Sequence, residues 1–330
     1  MKSYIINITF YIAQFAIVTS LLLFSFCSNA ASTSDSEEQV EEQTEAVATL
    51  TSYKVYYKDV DELRLDMNVM HLNDIEDDEQ RVAMILIHGG GWCNGDNTAM
   101  EDHAKYFASH GIVLFLINYR TTDMISDSTP KKSLQDAKSA VRYVRANADR
   151  FNIDPDKIIV GGGSVGGHMA AAVSMTPNIN ESTDDLSIST DACASILFNP
   201  VVCNGPETEG AYTGYNYSWV KDYYLDFSPM YNVREGVPPS IFMVGDQDHL
   251  IPTEVAYEYQ RLIEEVGGRC DLHIYEDQPH SFYFISGQDA SNFYYAMTAA
   301  HEFLQSLGYL DSRANVKAWL SAQDCGYYVK

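Results

Sequence analysis

The chain has 330 residues, 46% of them apolar and 20% charged, with 21 Lys and Arg against 46 Asp and Glu for a net charge of −25. That length and apolar fraction suffice for a packed α/β domain and exclude a disordered or collagen-like chain. The acidic excess argues against nucleic acid, whose phosphates need clustered Lys and Arg, and against an anionic membrane surface.

Residues 1–30 contain one basic residue, Lys2, and no acid, and the apolar stretch from Ile5 to Phe26 reads as an export signal. Asn7, Thr9 and Gln14 interrupt it, which favours a signal over a membrane-spanning anchor. Two processing points stay open. Ser28-Asn29-Ala30 fits cleavage before Ala31 and a free product, whereas Leu23-Phe-Ser-Phe26 ahead of Cys27 resembles a loose lipoprotein box, with a lipid on Cys27 as a membrane tether. Residues 31–48 are small, polar and acidic and read as a linker. The first 48 residues hold one of the basic and six of the acidic side chains, which leaves a net charge of −20 on residues 49–330.

Two β-rich runs, Tyr53 to Val60 and Leu63 to His71, are separated by Asp-Glu and predict an antiparallel hairpin. The continuous apolar run Val82 to Ile87 fits a strand buried on both faces of a parallel sheet. Helices and strands then alternate: helix 98–109, strand 112–118, helix 131–149, strand 157–161, helix 165–175 and strand 194–198, followed by strand 240–244, helix 253–266, strand 270–275 and helix 289–306. Eight strands in this order imply one doubly wound, mostly parallel α/β sheet with an antiparallel start and helices on both faces. Residues 204–227 form an insertion rich in Tyr and Trp, and residues 309–330 are a tail with an amphipathic piece around Trp319 that should pack on the body.

The strand ending at Gly161 runs into Gly162-Gly-Ser164-Val-Gly166, and a helical pattern starts at once. Gly-x-Ser-x-Gly on a strand-turn-helix presents a serine hydroxyl on a turn too tight for neighbouring side chains, with a helix N-terminus behind it that favours developing negative charge. By frequency alone the pattern arises in roughly one chain in ten of this length, so it needs partners. The first is His88-Gly-Gly-Gly-Trp92 at the end of the third strand, where bare backbone N–H groups can face an oxyanion. A phosphate-binding loop is the competing reading, but the Lys and Ser/Thr that should follow it are missing. The second is an acid after strand 240–244: Asp248, with Asp246 as the alternative. The third is a base, His280, in the loop after the last strand, with His249 as its rival. The remaining histidines have structural readings.

Five cysteines beyond Cys27 are scattered and imply no disulfide framework, none sits at zinc-ligand spacing, and neither a metal nor an organic cofactor is expected.

With these pieces in place the sequence resembles the α/β-hydrolase esterases, in the branch related to hormone-sensitive lipase and to acetyl-xylan and feruloyl esterases. The resemblance is carried by His88-Gly-Gly-Gly-Trp92, Asn118-Tyr-Arg120, Gly162 to His168, Phe198-Asn-Pro200, Gly245-Asp-Gln-Asp248 with Pro252, and His280-Ser-Phe282, spread over residues 53–307. It implies Ser164 as nucleophile, His280 as base, Asp248 as orienting acid, and the N–H groups of Gly90, Gly91 and Val165 as an oxyanion hole. Val165 and Ser281 depart from the Ala and Gly usual after the serine and histidine. Trp92 and Phe282 are expected to bound a small acyl pocket. The expected substrate is a small-molecule or carbohydrate ester, including acetyl groups on polysaccharide, with a peptidase or amidase, or a non-catalytic surface-binding protein, as alternatives.

Overall fold

A computed structural model describes residues 49–73, 80–206, 214–323 and 325–330. The expected export segment, the acidic linker and Tyr212 of the insertion lie outside the described residues. Eight strands form one sheet: β1 (Leu50–Val60), β2 (Leu63–Leu72), β3 (Arg81–Ile87), β4 (Val113–Ile117), β5 (Ile153–Gly163), β6 (Ala194–Phe198), β7 (Ser240–Gly245) and β8 (Cys270–Tyr275), in spatial order β1-β2-β4-β3-β5-β6-β7-β8. Only β2 opposes its neighbours; β1, being antiparallel to β2, runs the same way as the parallel strands β3 to β8. This is the expected mostly parallel α/β-hydrolase sheet.

The apolar runs explain the layers. Along β3, Ala83, Ile85 and Ile87 enter one core cluster while Met84 and Leu86 enter the other, and β4 divides its residues in the same way. The first cluster lies under α2 (Pro130–Ala146), α4 (Val165–Met175) and α7 (Thr253–Glu265). The second lies under α1 (Glu101–Ser109) and α8 (Ser291–Ser306). Helix α2 starts where Thr129 Oγ1 accepts the Lys132 N–H at 3.3 Å with Pro130 in the first turn. The long helix expected over 131–149 is divided: it stops at Asn147, and a separate short turn, α3 (Ala148–Phe151), leads to Asn152 in a left-handed conformation. Strand β5 starts four residues earlier than predicted because Ile153 pairs with Arg81 before the ladder breaks and resumes at Ile158. That break surrounds Pro155, which has no N–H to give a ladder.

The insertion contributes two single-turn helices, α5 (Tyr217–Val220) and α6 (Tyr224–Phe227). The tail packs on the body as expected, with α9 (Val316–Ala322) laying Trp319 against Phe293 at 5.9 Å between ring centres and edge-on to Tyr106 at 5.8 Å.

One buried ionic network ties four segments together. Asp136 of α2, with no side-chain exposure, takes two hydrogen bonds from the Arg120 guanidinium at 2.8 Å each and one from Lys58 of β1 at 2.6 Å. Arg120 also reaches Asp61 at 2.6 Å and Glu181 at 2.9 Å, and Lys58 reaches Glu181 at 3.1 Å. A charge buried this deeply is tolerated only when its partners are in place. Asp136→Ala should therefore cost about 3–5 kcal/mol, read by urea unfolding, because it removes the carboxylate that two buried cations share.

Lys138 is buried in the same helix and donates to Thr176 O. Burial, reinforced by Arg142, pushes its ammonium down to about 7. The folded state then holds this proton more weakly than the unfolded chain, so stability falls as pH drops toward that value and rises toward the ordinary lysine range. Urea unfolding at neutral and alkaline pH should show that climb in the wild type and a flatter one in Lys138→Met.

Candidate active site

Ser164 occupies the junction of β5 and α4 with φ +55° and ψ −120°, a backbone state that costs a residue with a side chain about 1–3 kcal/mol. The surroundings hold it there. Its N–H donates to Phe198 O at 2.9 Å, and its carbonyl accepts from His168 N at 3.0 Å and Val201 N at 3.2 Å. Two glycines make the turn sterically possible: a Cβ on Gly162 would lie 2.6 Å from Ile87 O, and one on Gly166 would lie 2.1 Å from the same oxygen. The first turn of α4 therefore rests directly on the backbone of β3.

Three side chains from three loops converge here. His280 Nε2 lies 3.0 Å from Ser164 Oγ, and His280 Nδ1 lies 2.7 Å from Asp248 Oδ2. The Asp248 carboxylate is fully buried, and its other oxygen accepts the Leu250 and Ile251 N–H groups at 2.8 and 2.9 Å. A carboxylate so held accepts the Nδ1 proton of the imidazole, which leaves the lone pair of Nε2 facing the serine hydroxyl. Of the alternatives, Asp246 is exposed and its carboxylate accepts from Gln247, while His249 is exposed on the turn beyond the acid.

The loop after β3 follows the glycine run. Gly90 and Gly91 adopt φ of +117° and +65°, and among the described residues the N–H groups of Gly90, Gly91 and Val165 donate to no protein acceptor. Bare donors beside a nucleophile are what an oxyanion requires. The Asn118-Tyr-Arg120 stretch secures this loop: Tyr119 Oη donates to His88 O at 3.0 Å, its ring stacks on His88 at 4.3 Å, and Asn118 Oδ1 accepts the Asn97 N–H at 2.9 Å. Burial pushes His88 down to about 4, and His103 and His168 to about 3, so these three stay neutral.

A cavity of about 390 Å³ opens over Ser164 and His280, with Gly89 to Gly91 as its floor. Its walls differ from the expected ones. Trp92, with φ +62°, turns inward and is 1% exposed, packed on His168 and Phe227, and Phe282 is buried against Tyr275. Neither lines the cavity. Tyr215, Leu250, Tyr283 and Phe284 do. The sequence signal for the three aromatic residues lay in the run after His280 and in the Tyr-rich insertion, but not which members face inward.

Comparison with known proteins places this geometry among relatives. The family described as BD-FAE matches residues 70–262. An acetylxylan esterase of Xylanibacter ruminicola is 28% identical over 221 residues, covering 61% of this chain and 41% of that protein. An endo-1,4-beta-xylanase B of Butyrivibrio fibrisolvens is 28% identical over 195 residues, 57% of this chain and 30% of that protein. The chain thus spans less than half the length of these two relatives. A thermophilic esterase of Thermogutta terrifontis, solved with propionate bound, superposes with a TM-score of 0.74 at 31% identity, covering 80% of this chain and 97% of that one.

The close approach of α4 to β3 makes a direct prediction. Gly166→Ala should cost about 3 kcal/mol in urea unfolding; an unfolding curve at wild-type level would contradict this account.

Proposed function

The chain belongs to the BD-FAE family, and from that membership together with the Ser164, His280 and Asp248 geometry we propose that it is a serine carboxylesterase acting on short-acyl esters. The observation that carries the reading is the unbroken hydrogen-bonded line from Asp248 through His280 to Ser164, beside free backbone donors.

In this mechanism His280 Nε2 takes the hydroxyl proton as Ser164 Oγ bonds to the ester carbon, and the oxyanion rests on the N–H groups of Gly90, Gly91 and Val165. The carbonyl re-forms as the C–O bond to the alcohol breaks, and His280 returns the proton to the departing alkoxide. Water, deprotonated by the same imidazole, then attacks the acyl-serine; the acyl–Oγ bond breaks to release the acid, and His280 returns the proton to Ser164 Oγ. Asp248 holds the imidazole in its Nδ1–H tautomer and stabilises the imidazolium.

The modest cavity with its aromatic walls supports a short acyl group. So do the propionate- and butyrate-bound structures of the Thermogutta terrifontis esterase. The names of the acetylxylan esterase and xylanase relatives support acetylated polysaccharide as the natural substrate. Exposed Trp219, two residues beyond Tyr217 in the insertion, is available for stacking on sugar rings.

The test is hydrolysis of p-nitrophenyl acetate, butyrate and decanoate, a matched anilide, and acetylated xylan. Acetate or butyrate should be preferred, and Ser164→Ala should lose at least about 10⁴-fold in kcat/KM. Unchanged activity in that variant would overturn the mechanism. A preference for decanoate would overturn the short-acyl reading, faster anilide cleavage would favour an amidase, and no acetate from xylan would remove the polysaccharide alone.

A further inference from the structure

The end of β6 carries a buried amide that the reaction above leaves without a role. Asn199 is fully buried with φ +35°, and its N–H donates to Met243 O at 2.6 Å, tying it to β7, the strand that leads to Asp248. Its side chain addresses the base loop. Oδ1 accepts the Ser281 N–H at 3.1 Å, and Nδ2 lies 3.4 Å from His280 Nε2. Ser281 meets this bond with φ +65°, a conformation unfavourable for a residue with a Cβ.

The orientation of the amide follows from its partners. A backbone N–H can only donate, so the atom facing Ser281 is the oxygen, and Nδ2 must face the imidazole as a donor. A donor at Nε2 favours a lone pair there over a proton. The residue before Asn199 completes the arrangement, because Phe198 O accepts the Ser164 N–H at 2.9 Å. One strand end therefore holds the nucleophile turn and the base loop together.

We propose that Asn199 is a positioning residue for ester hydrolysis: it anchors the base loop through Ser281 N–H and keeps His280 Nε2 unprotonated and directed at Ser164 between turnovers. The inference rests on the esterase reading. The titratable groups around His280 are Asp248 from the β7 loop, Tyr283 from its own loop and Tyr215 across the cavity, two phenols that burial holds neutral. His103 of α1 packs on Tyr283 at 5.7 Å and is likewise neutral, while Asp246, Glu276 and Asp277 are exposed on the adjoining turns.

The test compares wild type, Asn199→Asp and Asn199→Ala by the pH dependence of kcat/KM on p-nitrophenyl acetate and by NMR titration of the His280 imidazole, assigned with His280→Ala. Asn199→Asp keeps an oxygen for Ser281 N–H but turns a carboxylate oxygen toward Nε2, which favours the imidazolium. Since the base must be neutral, activity is then lost at higher pH. The acid limb and the His280 titration should both move up by about one pH unit or more. Asn199→Ala removes both contacts and should lower kcat roughly 10- to 100-fold with KM changed less than about threefold. A His280 titration unmoved in Asn199→Asp, or a kcat within twofold of wild type in Asn199→Ala, overturns the proposal. If Asn199→Ala does not fold, Asn199→Asp decides alone. Wild type inactive on every ester would sink the esterase reading, and the NMR titration of Asn199→Asp would still decide the Asn199–His280 interaction.

Discussion

The contact on which the site depends has no side chain in it. Where α4 begins, Gly166 lies against the carbonyls of Ile87 and His88 at a spacing that leaves no room for a methyl group. This approach brings the Ser164 turn and the glycine loop after β3 into one volume. It also makes the strained backbone of Ser164 sustainable, because the serine is clamped by Phe198 O on one side and by the amides of His168 and Val201 on the other. A hydroxyl so constrained keeps its direction with little reorganisation, which is how binding geometry becomes rate.

Around that point the protein separates two kinds of burial. The ionic network of Lys58, Asp61, Arg120, Asp136 and Glu181 spends its charges on holding the β1–β2 hairpin, the segment after β4 and helix α2 in register. The histidines near the pocket are treated oppositely. His88, His103 and His168 have no carboxylate bonded to the ring and are driven neutral by burial, so they serve as aromatic packing. His280 differs in having a carboxylate on one nitrogen, the serine on the other and a fifth of its side chain open to the cavity. In the proposed mechanism, proton transfer falls to this one ring because of its neighbours.

Much of this was readable in the chain because local chemistry carries it. The continuous apolar run of β3 announced a strand covered on both faces, and glycines flanking Ser164 announced a turn of unusual tightness. Ser164, Asp248 and His280 could be picked out because each follows a strand end, and one sheet brings strand ends together. The pocket wall was not readable in the same way. Trp92 and Phe282 stand beside motif residues, yet Trp92 has a positive φ, Phe282 follows Ser281 with another, and both side chains are buried. Asn199 lay in view within Phe198-Asn-Pro200, but its partners are 81 and 82 residues away, so its contacts follow from the assembled sheet alone. The Arg120 network was hidden for the same reason, its carboxylates coming from three separate segments.

The direction of β1 has a consequence for how the molecule presents itself. Because β2 alone is reversed, β1 runs with the parallel strands, and its first residue, Leu50, lies at the end of the sheet opposite the loops that hold Ser164, Asp248 and His280. By register Val55 is level with Met67 and, through it, with Ile117 at the end of β4, so Leu50 lies five residues, roughly 17 Å of extended chain, below the strand ends. Whatever is joined ahead of Leu50 therefore leaves from the underside. Attachment at that end leaves the cavity mouth uncovered.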